Sequence, residues 1–299
     1  MRPLFSIIVP THNRYALLQE CIASVLRQTC NDWQLIIVDD GSTDDTAKMK
    51  FSDERISIIH QKKSERSEAR NLGIENAKGR FLLFIDDDDY ILDNHLTIFK
   101  EAIEKGGDEL IYRTGFIRKD MERDSTVAGT NYSVTKHENP VNFAAFQMCG
   151  VWSLCIPKAC LEEERFPIGF PHWQDTHLIL RLFSRYPLSQ LPTHSYIYRI
   201  HADMGSRKRK TGPALRQQAK INVAAIEHFF NNYSHLTQAY LPRHARSFLC
   251  DEKWLEYAVK AETHNDYESA RIFKKEVSRF RASLWKYYIL YYWNMLKSE

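Results

Sequence analysis

Four short apolar runs, each the length of a buried strand, alternate with helix-like stretches in the first third of the chain. The runs cover residues 5–9, 34–38, 56–59 and 81–85. Such alternation is typical of α/β folds, in which crossover helices join parallel strands. Because the carboxyl ends of parallel strands meet at one edge of the sheet, the polar residues after these runs should meet there. The sequence therefore predicts a Rossmann-like, mostly parallel sheet flanked by helices.

Four consecutive aspartates, Asp86, Asp87, Asp88 and Asp89, follow the fourth apolar run directly. Adjacent like charges repel one another unless a cation neutralises them. A divalent cation that also carries a phosphorylated ligand would do so. The alternative is a solvated turn or a helix cap, although a cap needs a single Asp. The run indicates a metal site at the sheet edge.

The composition restricts the classes of binding partner but does not identify one. The chain has 299 residues, 43% hydrophobic and 26% charged, which is ordinary for a globular protein with a sizeable core. Its net charge of +3 is small, and no recognition motif for nucleic acid accompanies it. Six cysteines without a C-x-x-C pair indicate reduced thiols. Without a signal peptide or an apolar span, we expect a cytoplasmic protein, or one peripheral on the inner face of the cell membrane.

The chain changes character after Pro213, where only helical patterns remain. We therefore predict a first domain at 1–205 and a basic, aromatic-rich helical extension at 206–299. One apolar stripe of this extension consists of Leu215, Ala219, Val223, Ile226 and Phe230. The tail at 279–299 mixes aromatic residues with lysines and arginines, so it could lie on a membrane surface. Packing on the first domain or in a homodimer is the alternative.

Four motifs resemble the nucleotide-sugar domain of family 2 glycosyltransferases, which have the GT-A fold. They are FSIIVPTHNR at 5–14, VDDGSTD at 38–44, ARNLG at 69–73 and the IDDDD run at 85–89. A weaker resemblance continues to about residue 205, and the helical extension lies outside it. The resemblance implies an α/β domain that binds a nucleoside diphosphate sugar, a UDP-sugar in particular.

The resemblance also implies residues for the nucleotide. Asp40 would contact the base with Asp39 in support, although an Asx turn or helix cap is the alternative for both. Arg70 would reach the nucleotide, unless it is simply an exposed helical arginine. The other implied nucleotide-binding residues are Pro10, Thr11, Asn13, Asp86 and Asp87.

For the metal, the aspartate run resembles the D-x-D-D element of the family. In that register Asp88 is the ligand of Mn²⁺ or Mg²⁺, and Asp86 faces the ribose or the metal. The stretch 196–206 resembles the Tyr-Arg-x-His segment of the family. His201 would then complete the metal shell, the alternative being a surface or packing histidine.

The resemblance places the general base at Asp175, in a helix that begins near Gln174. The family carries a Glu-Asp pair at this point, and here Gln174 replaces the Glu. The electrostatic environment of Asp175 therefore differs from the family pattern. An acid at a helix N-terminus is the structural alternative.

These residues imply an inverting glycosyltransferase that acts on a hydroxyl of a glycan or lipid-linked glycan acceptor in bacterial surface polysaccharide assembly. A sugar nucleotidyltransferase is one alternative, but a Gly-rich, Lys-bearing triphosphate loop is not evident near the N-terminus. A non-catalytic nucleotide-sugar or glycan-binding module is the other, and Gln174 leaves it open. The donor sugar, acceptor and linkage would be set by residues 120–172, which show no decisive pattern.

Overall fold

A computed structural model describes residues 2–128, 139–146, 149–202, 204, 210–243 and 245–277 of the protein. The chain divides into two compact units, Met1–Met204 and Gly205–Glu299. The boundary predicted after residue 205 falls beside this division. The six cysteines, all within the described residues, are free thiols.

In the part of the first unit that the structure describes, the strands form one nine-stranded sheet. Its strands are β1 (Phe5–Thr11), β2 (Trp33–Asp39), β3 (Ile56–His60), β4 (Phe81–Phe84), β5 (Tyr90–Ile91), β6 (Ile111–Asp120), β7 (Ser125–Ala128), β8 (Leu154–Pro157) and β9 (Leu188–Ile200). They lie in the order β3-β2-β1-β4-β8-β6-β9-β5, with β7 against β6. Strands β1 to β4 are parallel, whereas β8 pairs antiparallel with β4 and β6. The sheet is mixed, and its parallel half contains the four predicted strands.

Helices cover this sheet because their apolar residues recur at helical spacing. They are α1 (Tyr15–Leu26), α2 (Arg66–Asn76), α3 (His95–Gly106), α4 (Pro140–Phe146) and α5 (Gln174–Arg185). Gly73 allows a close approach of α2 to β1, since a Cβ there would lie 2.4 Å from Ile8 Cγ2. All seven residues of β1 are buried, as expected for a central strand of an α/β sheet.

The segment that follows Asp39 and Asp40 forms a short helical turn and not a full helix. Asp44 caps it by accepting from the backbone N–H of Thr46, but only a 3₁₀ turn at Asp45–Lys48 follows. Of this turn only Thr46 is buried, so no apolar face extends it. The segment at 120–172, whose sequence shows no decisive pattern, contains β7, α4 and β8 among short turns.

The second unit contains α6 (Gly212–Thr237), α7 (Ala245–Thr263) and α8 (Tyr267–Glu276). Its core includes Leu215, Ala219, Tyr257, Ala258, Ala261, Ala270 and Phe273. The predicted stripe of α6 is correct except at its end, where Phe229 is buried and Phe230 is half-buried. None of the helices in the described residues is long and apolar enough to cross a bilayer.

The aromatic and basic tail at 279–299 lies outside the described residues, as does most of the basic run at 207–210. Its membrane contact and its role in a homodimer therefore stay predictions.

Candidate functional site

The carboxyl ends of β1, β2 and β4 lie side by side at one edge of the sheet. Thr11 at the end of β1 is the register partner of Asp39 at the end of β2. On its other side β1 pairs with β4, which leads into the aspartate run. The structure thus brings together polar residues that follow three strands, where open α/β folds bind ligands.

The four aspartates form a turn in which the backbone N–H of Asp89 donates to the carbonyl of Asp86 at 3.0 Å. Their side chains alternate in burial. Asp87 and Asp89 are buried, whereas the side chains of Asp86 and Asp88 keep 18% and 14% of their surface exposed. Two of the acids are therefore buried, and the other two keep a small exposed fraction.

Asp87 ties this turn to the end of β1. Its Oδ2 accepts from Thr11 Oγ1 at 2.8 Å, and its Oδ1 accepts from Arg14 Nη1 at 2.9 Å. Burial raises the pKa of Asp87 to about 6, against the opposing effect of Arg14. The side chains of Asp87 and Thr11 thus contact each other, and their predicted roles beside a nucleotide stay predictions.

Asp89 ties the same turn to β9. Tyr196 Oη donates to its Oδ2 at 2.7 Å, and the backbone N–H of Arg199 donates to its Oδ1 at 2.8 Å. Burial raises the pKa of Asp89 well above its usual range. Sequence reasoning missed Tyr196 and Arg199 as supports of the turn. The available signal was the stretch 196–206, which includes Tyr196 and Arg199 but in which only His201 received a role.

Asp86 is held by Arg70 of α2, whose Nη2 donates to Oδ1 at 2.7 Å. Arg70 is buried, so the alternative of an exposed helical arginine is wrong. Burial alone would raise the pKa of Asp86, but Arg70 and Arg66 lower it below its usual value. Within the described residues, Nε and Nη1 of Arg70 have no hydrogen-bond partner. The pair places a buried cation beside a partly exposed acid.

Asp88 lies between Arg14, which was not predicted as a site residue, and the predicted metal ligand His201. Its Oδ2 accepts from Arg14 Nη1 and lies 3.4 Å from His201 Nε2. One oxygen from each of Asp86, Asp88 and Asp89 falls within a group no wider than 4.8 Å. Carboxylate oxygens are the ligands that Mg²⁺ and Mn²⁺ prefer, so these residues fit the predicted cation. Because Asp89 already accepts two hydrogen bonds, the two partly exposed acids are the better candidates.

Asp40 accepts hydrogen bonds from the loop after β3. Its donors are Gln61 Nε2 at 2.7 Å, Lys63 Nζ at 2.6 Å and the backbone N–H of Ser64 at 2.8 Å. Burial alone would raise the pKa of Asp40, but these bonds lower it below its usual value. For this carboxylate to bind a nucleotide base, one of these donors would have to share its acceptor oxygen with the base or move away from it. Nothing in the sequence marked this loop as its partner.

Asp39 is buried and already bonded within the protein. Its Oδ1 accepts from the backbone N–H of Ser42 at 2.9 Å, and its Oδ2 lies 2.8 Å from His60 Nδ1. The first contact reaches the backbone N–H three residues on, which is the spacing of a capping contact and not of an Asx turn.

Asn13 joins the loop after β1 to the loop after β2. Its φ of +53° lies in the left-handed region, which asparagine tolerates. Its Oδ1 accepts from the backbone N–H of Thr43 at 2.7 Å, and its own N–H donates to Ser42 Oγ at 2.9 Å. Pro10 is buried opposite Val38. Both residues shape the strand ends, and contact with a nucleotide stays a prediction for each.

Asp175 lies in the first turn of α5 and is half-buried. Its Oδ1 accepts from the backbone N–H of Thr176 at 2.9 Å. Trp173 precedes the helix with a left-handed φ of +65°, and Gln174 is buried. The acid therefore does stand at a helix N-terminus, while its role as a base stays a prediction.

The segment before α5 is anchored to α2. Asn71 Nδ2 donates to the carbonyl of Phe166 at 3.0 Å, and Asn71 Oδ1 accepts from the backbone N–H of Phe166 at 2.9 Å. The backbone N–H of Gly169 donates to Glu65 Oε1 at 2.6 Å. The helix that supplies Arg70 to the aspartate turn thus also positions the approach to Asp175.

The family described as Glycosyl transferase family 2 matches residues 6–157, just over half of the chain, including most of β1, the aspartate turn and β8. The chain belongs to glycosyl transferase family 2. The family resemblance of the four motifs is thereby confirmed.

Curated relatives of this family 2 chain come from several bacteria. Glycosyltransferase GlyG of Streptococcus pneumoniae is 35% identical over 117 residues, which cover 37% of this chain and 39% of GlyG. The uncharacterized glycosyltransferase EpsJ of Bacillus subtilis is 37% identical over 131 residues, covering 42% of this chain and 38% of EpsJ. The GalNAc(5)-diNAcBac-PP-undecaprenol beta-1,3-glucosyltransferase of Campylobacter jejuni is 31% identical over 180 residues, covering 55% of each chain. The matched segments span less than two thirds of each relative.

The fold of this family 2 chain is similar to that of S. aureus TarS. A TarS fragment in complex with UDP-GlcNAc has a TM-score of 0.64 and 17% identity, covering 91% of this chain and 90% of the fragment. The same fragment with UDP has a TM-score of 0.57 and 16% identity, covering 93% of each chain. At these identities the likeness concerns the fold. The predicted GT-A architecture with C-terminal helices is confirmed.

Proposed function

We propose that this protein is an inverting glycosyltransferase that moves a sugar from a UDP-hexose type donor to a hydroxyl of a glycan or lipid-linked glycan acceptor in bacterial surface polysaccharide assembly. One observation carries the proposal: Asp86 and Asp88 stay partly exposed beside the buried Arg70 at the carboxyl edge of the sheet. Family membership supports it. Further support comes from the UDP compounds bound by TarS and from the undecaprenol-linked glycan named for the C. jejuni relative.

In this proposal the ends of β1 and β2 hold the nucleoside. Asp40 lies at the base, and Asp39 fixes the loop through Ser42. Mn²⁺ or Mg²⁺ held by Asp88, with Asp86 and His201 beside it, would neutralise the charge that grows on the departing diphosphate. Arg70 keeps Asp86 ionised and oriented, because its guanidinium is buried against that carboxylate.

Asp175 acts on the acceptor. It takes the proton of the acceptor hydroxyl, and the hydroxyl oxygen forms a bond to the anomeric carbon as the bond to the diphosphate breaks on the opposite side. This displacement inverts the anomeric carbon and leaves a nucleoside diphosphate. The reaction would take place in the cytoplasm or at the inner face of the membrane, with 279–299 as the membrane contact.

Thermal unfolding with UDP, GDP, CMP and TDP, each with and without Mn²⁺, tests the proposal. We expect one uridine compound to raise the melting temperature only when Mn²⁺ is present, because metal and diphosphate bind together. Asp88→Ala should abolish this shift. Asp93→Ala, which removes an exposed acid paired with Arg27, should keep it. A full shift in Asp88→Ala, or no shift with any nucleotide, would count against the proposal.

A further inference from the structure

Arg14 crosses from the start of α1 to the aspartate turn. Its Nη1 donates to Asp87 Oδ1 at 2.9 Å and also to Asp88 Oδ2. Its side chain is only 18% exposed. One guanidinium nitrogen therefore bridges the buried Asp87 and the partly exposed Asp88.

The two acids depend on Arg14 to different degrees. Asp87 has a second donor in Thr11 Oγ1, so its place in the fold does not rest on Arg14 alone. Asp88 is one of the three acids whose oxygens could hold a metal ion. Arg14 therefore donates a hydrogen bond to an oxygen of a candidate metal ligand.

The positive charge of Arg14 does what a divalent ion would do at this turn. Adjacent carboxylates in a partly buried turn repel one another, and each loses hydration. Burial alone would lower the pKa of Arg14, but Asp87 and Asp88 raise it above its usual value. Arg14 thus remains a cation while it contacts both acids.

We propose that Arg14 is a built-in counter-cation, which competes with the divalent ion for Asp88 and leaves that carboxylate when the ion binds. The inference rests on the proposed metal-dependent transferase and concerns how its site is held between turnovers. A guanidinium and a divalent ion repel each other, so they do not share one carboxylate oxygen at contact distance. Asp87 retains Arg14 beside the site after the exchange.

The test is a Mn²⁺ titration of the purified, nucleotide-free full chain, followed by the loss of the free-ion electron paramagnetic resonance signal. Arg14→Gln should bind Mn²⁺ about tenfold more tightly than the wild type, because the competing charge-assisted hydrogen bond is gone. Arg27→Gln is the matched control. In the wild type Arg27 is exposed and pairs with Asp93, so its replacement should leave the Mn²⁺ affinity unchanged.

A second control separates contact from the general electrostatic field. Arg66 at the start of α2 acts on Asp86 through its charge. Arg66→Gln removes the same charge, and we expect a gain of only about twofold. Equal gains in Arg14→Gln and Arg66→Gln would overturn the inference, since a field would then explain both. Unchanged or weaker Mn²⁺ binding in Arg14→Gln would overturn it as well.

Arg14→Lys covers the case in which Arg14→Gln does not fold. It keeps the charge but loses the planar guanidinium, so its Mn²⁺ affinity should lie between those of the wild type and the glutamine variant. No gain in Arg14→Lys would then reject competition. The Arg14 variants could bind Mn²⁺ with the wild-type affinity while Mn²⁺ and UDP together still stabilise the wild type. In that case the inference fails and the proposed function stands. If no form binds Mn²⁺, both fail.

Discussion

Arg70 donates to Asp86 at 2.7 Å from a side chain that is 2% exposed. Its guanidinium carbon also lies 5.1 Å from the ring centroid of Phe166. Among the residues that the structure describes, two nitrogens of Arg70 have no hydrogen-bond partner, so this buried cation depends on Asp86 and on this ring. The pair links α2 to the aspartate turn at the centre of the proposed donor site.

Removal of this buried cation should destabilise the first unit. Arg70→Met leaves Asp86 without its main positive neighbour, so we expect a loss of about 3 kcal/mol in the free energy of unfolding, measured with urea. Arg80→Met is the matched control, because Arg80 forms an exposed pair with Asp108. Its loss should stay below about 1 kcal/mol. Similar losses in both variants would show that burial of the Arg70 pair has no special effect.

Asp175→Asn should separate binding from catalysis. A general base contributes about 10²–10⁴ to the rate, so turnover should fall by that factor while the affinity for UDP with Mn²⁺ stays near the wild-type value. Calorimetry and a product assay measure the two quantities. Asp108→Asn changes an exposed acid and should alter neither. Unchanged turnover in Asp175→Asn would favour the non-catalytic binding module.

Asn71→Ala should loosen the segment that leads to α5. It removes both hydrogen bonds to the backbone of Phe166, and a loss of about 1–2 kcal/mol in unfolding free energy follows. Asn76→Ala, at an exposed position of the same helix, removes a bond to the carbonyl of Leu72 within that helix. Hydrogen exchange at Phe166 should rise in the first variant and not in the second. Protection of that amide in Asn71→Ala would contradict the anchoring role.

His95 should make stability depend on pH. Its Nδ1 lies 2.7 Å from Ser195 Oγ, and burial lowers its pKa to about 3, against about 6.5 in an unfolded chain. The unfolded state therefore takes up a proton first, so this contribution is complete above about pH 6.5 and is lost as the pH falls toward 3. His95→Gln should flatten the pH profile of unfolding free energy in that window. His235→Gln, at an exposed site on α6, should keep the wild-type slope.

Local sequence patterns predicted the parallel half of the sheet well. The apolar runs before Asp39 and Asp86 are strong signals because a central strand is buried on both faces. Contacts that join distant segments were not predictable. Asp40 meets Lys63 through the loop after β3, and Asp89 meets Tyr196 through a strand more than a hundred residues away. The antiparallel strands of the middle segment are short, and their patterns overlap with those of loops.

The different structural roles of the residues in the aspartate turn also could not be predicted, because the four residues are identical. Asp87 and Asp89 hold the framework through Thr11 and Tyr196, while Asp86 and Asp88 keep a small exposed fraction. By composition alone, the four acidic side chains of the run would be equivalent. A substitution at Asp87 or Asp89 would remove hydrogen bonds that hold the turn to β1 or β9, whereas one at Asp86 or Asp88 would remove a partly exposed carboxylate, so no one of the four can stand in for its neighbour.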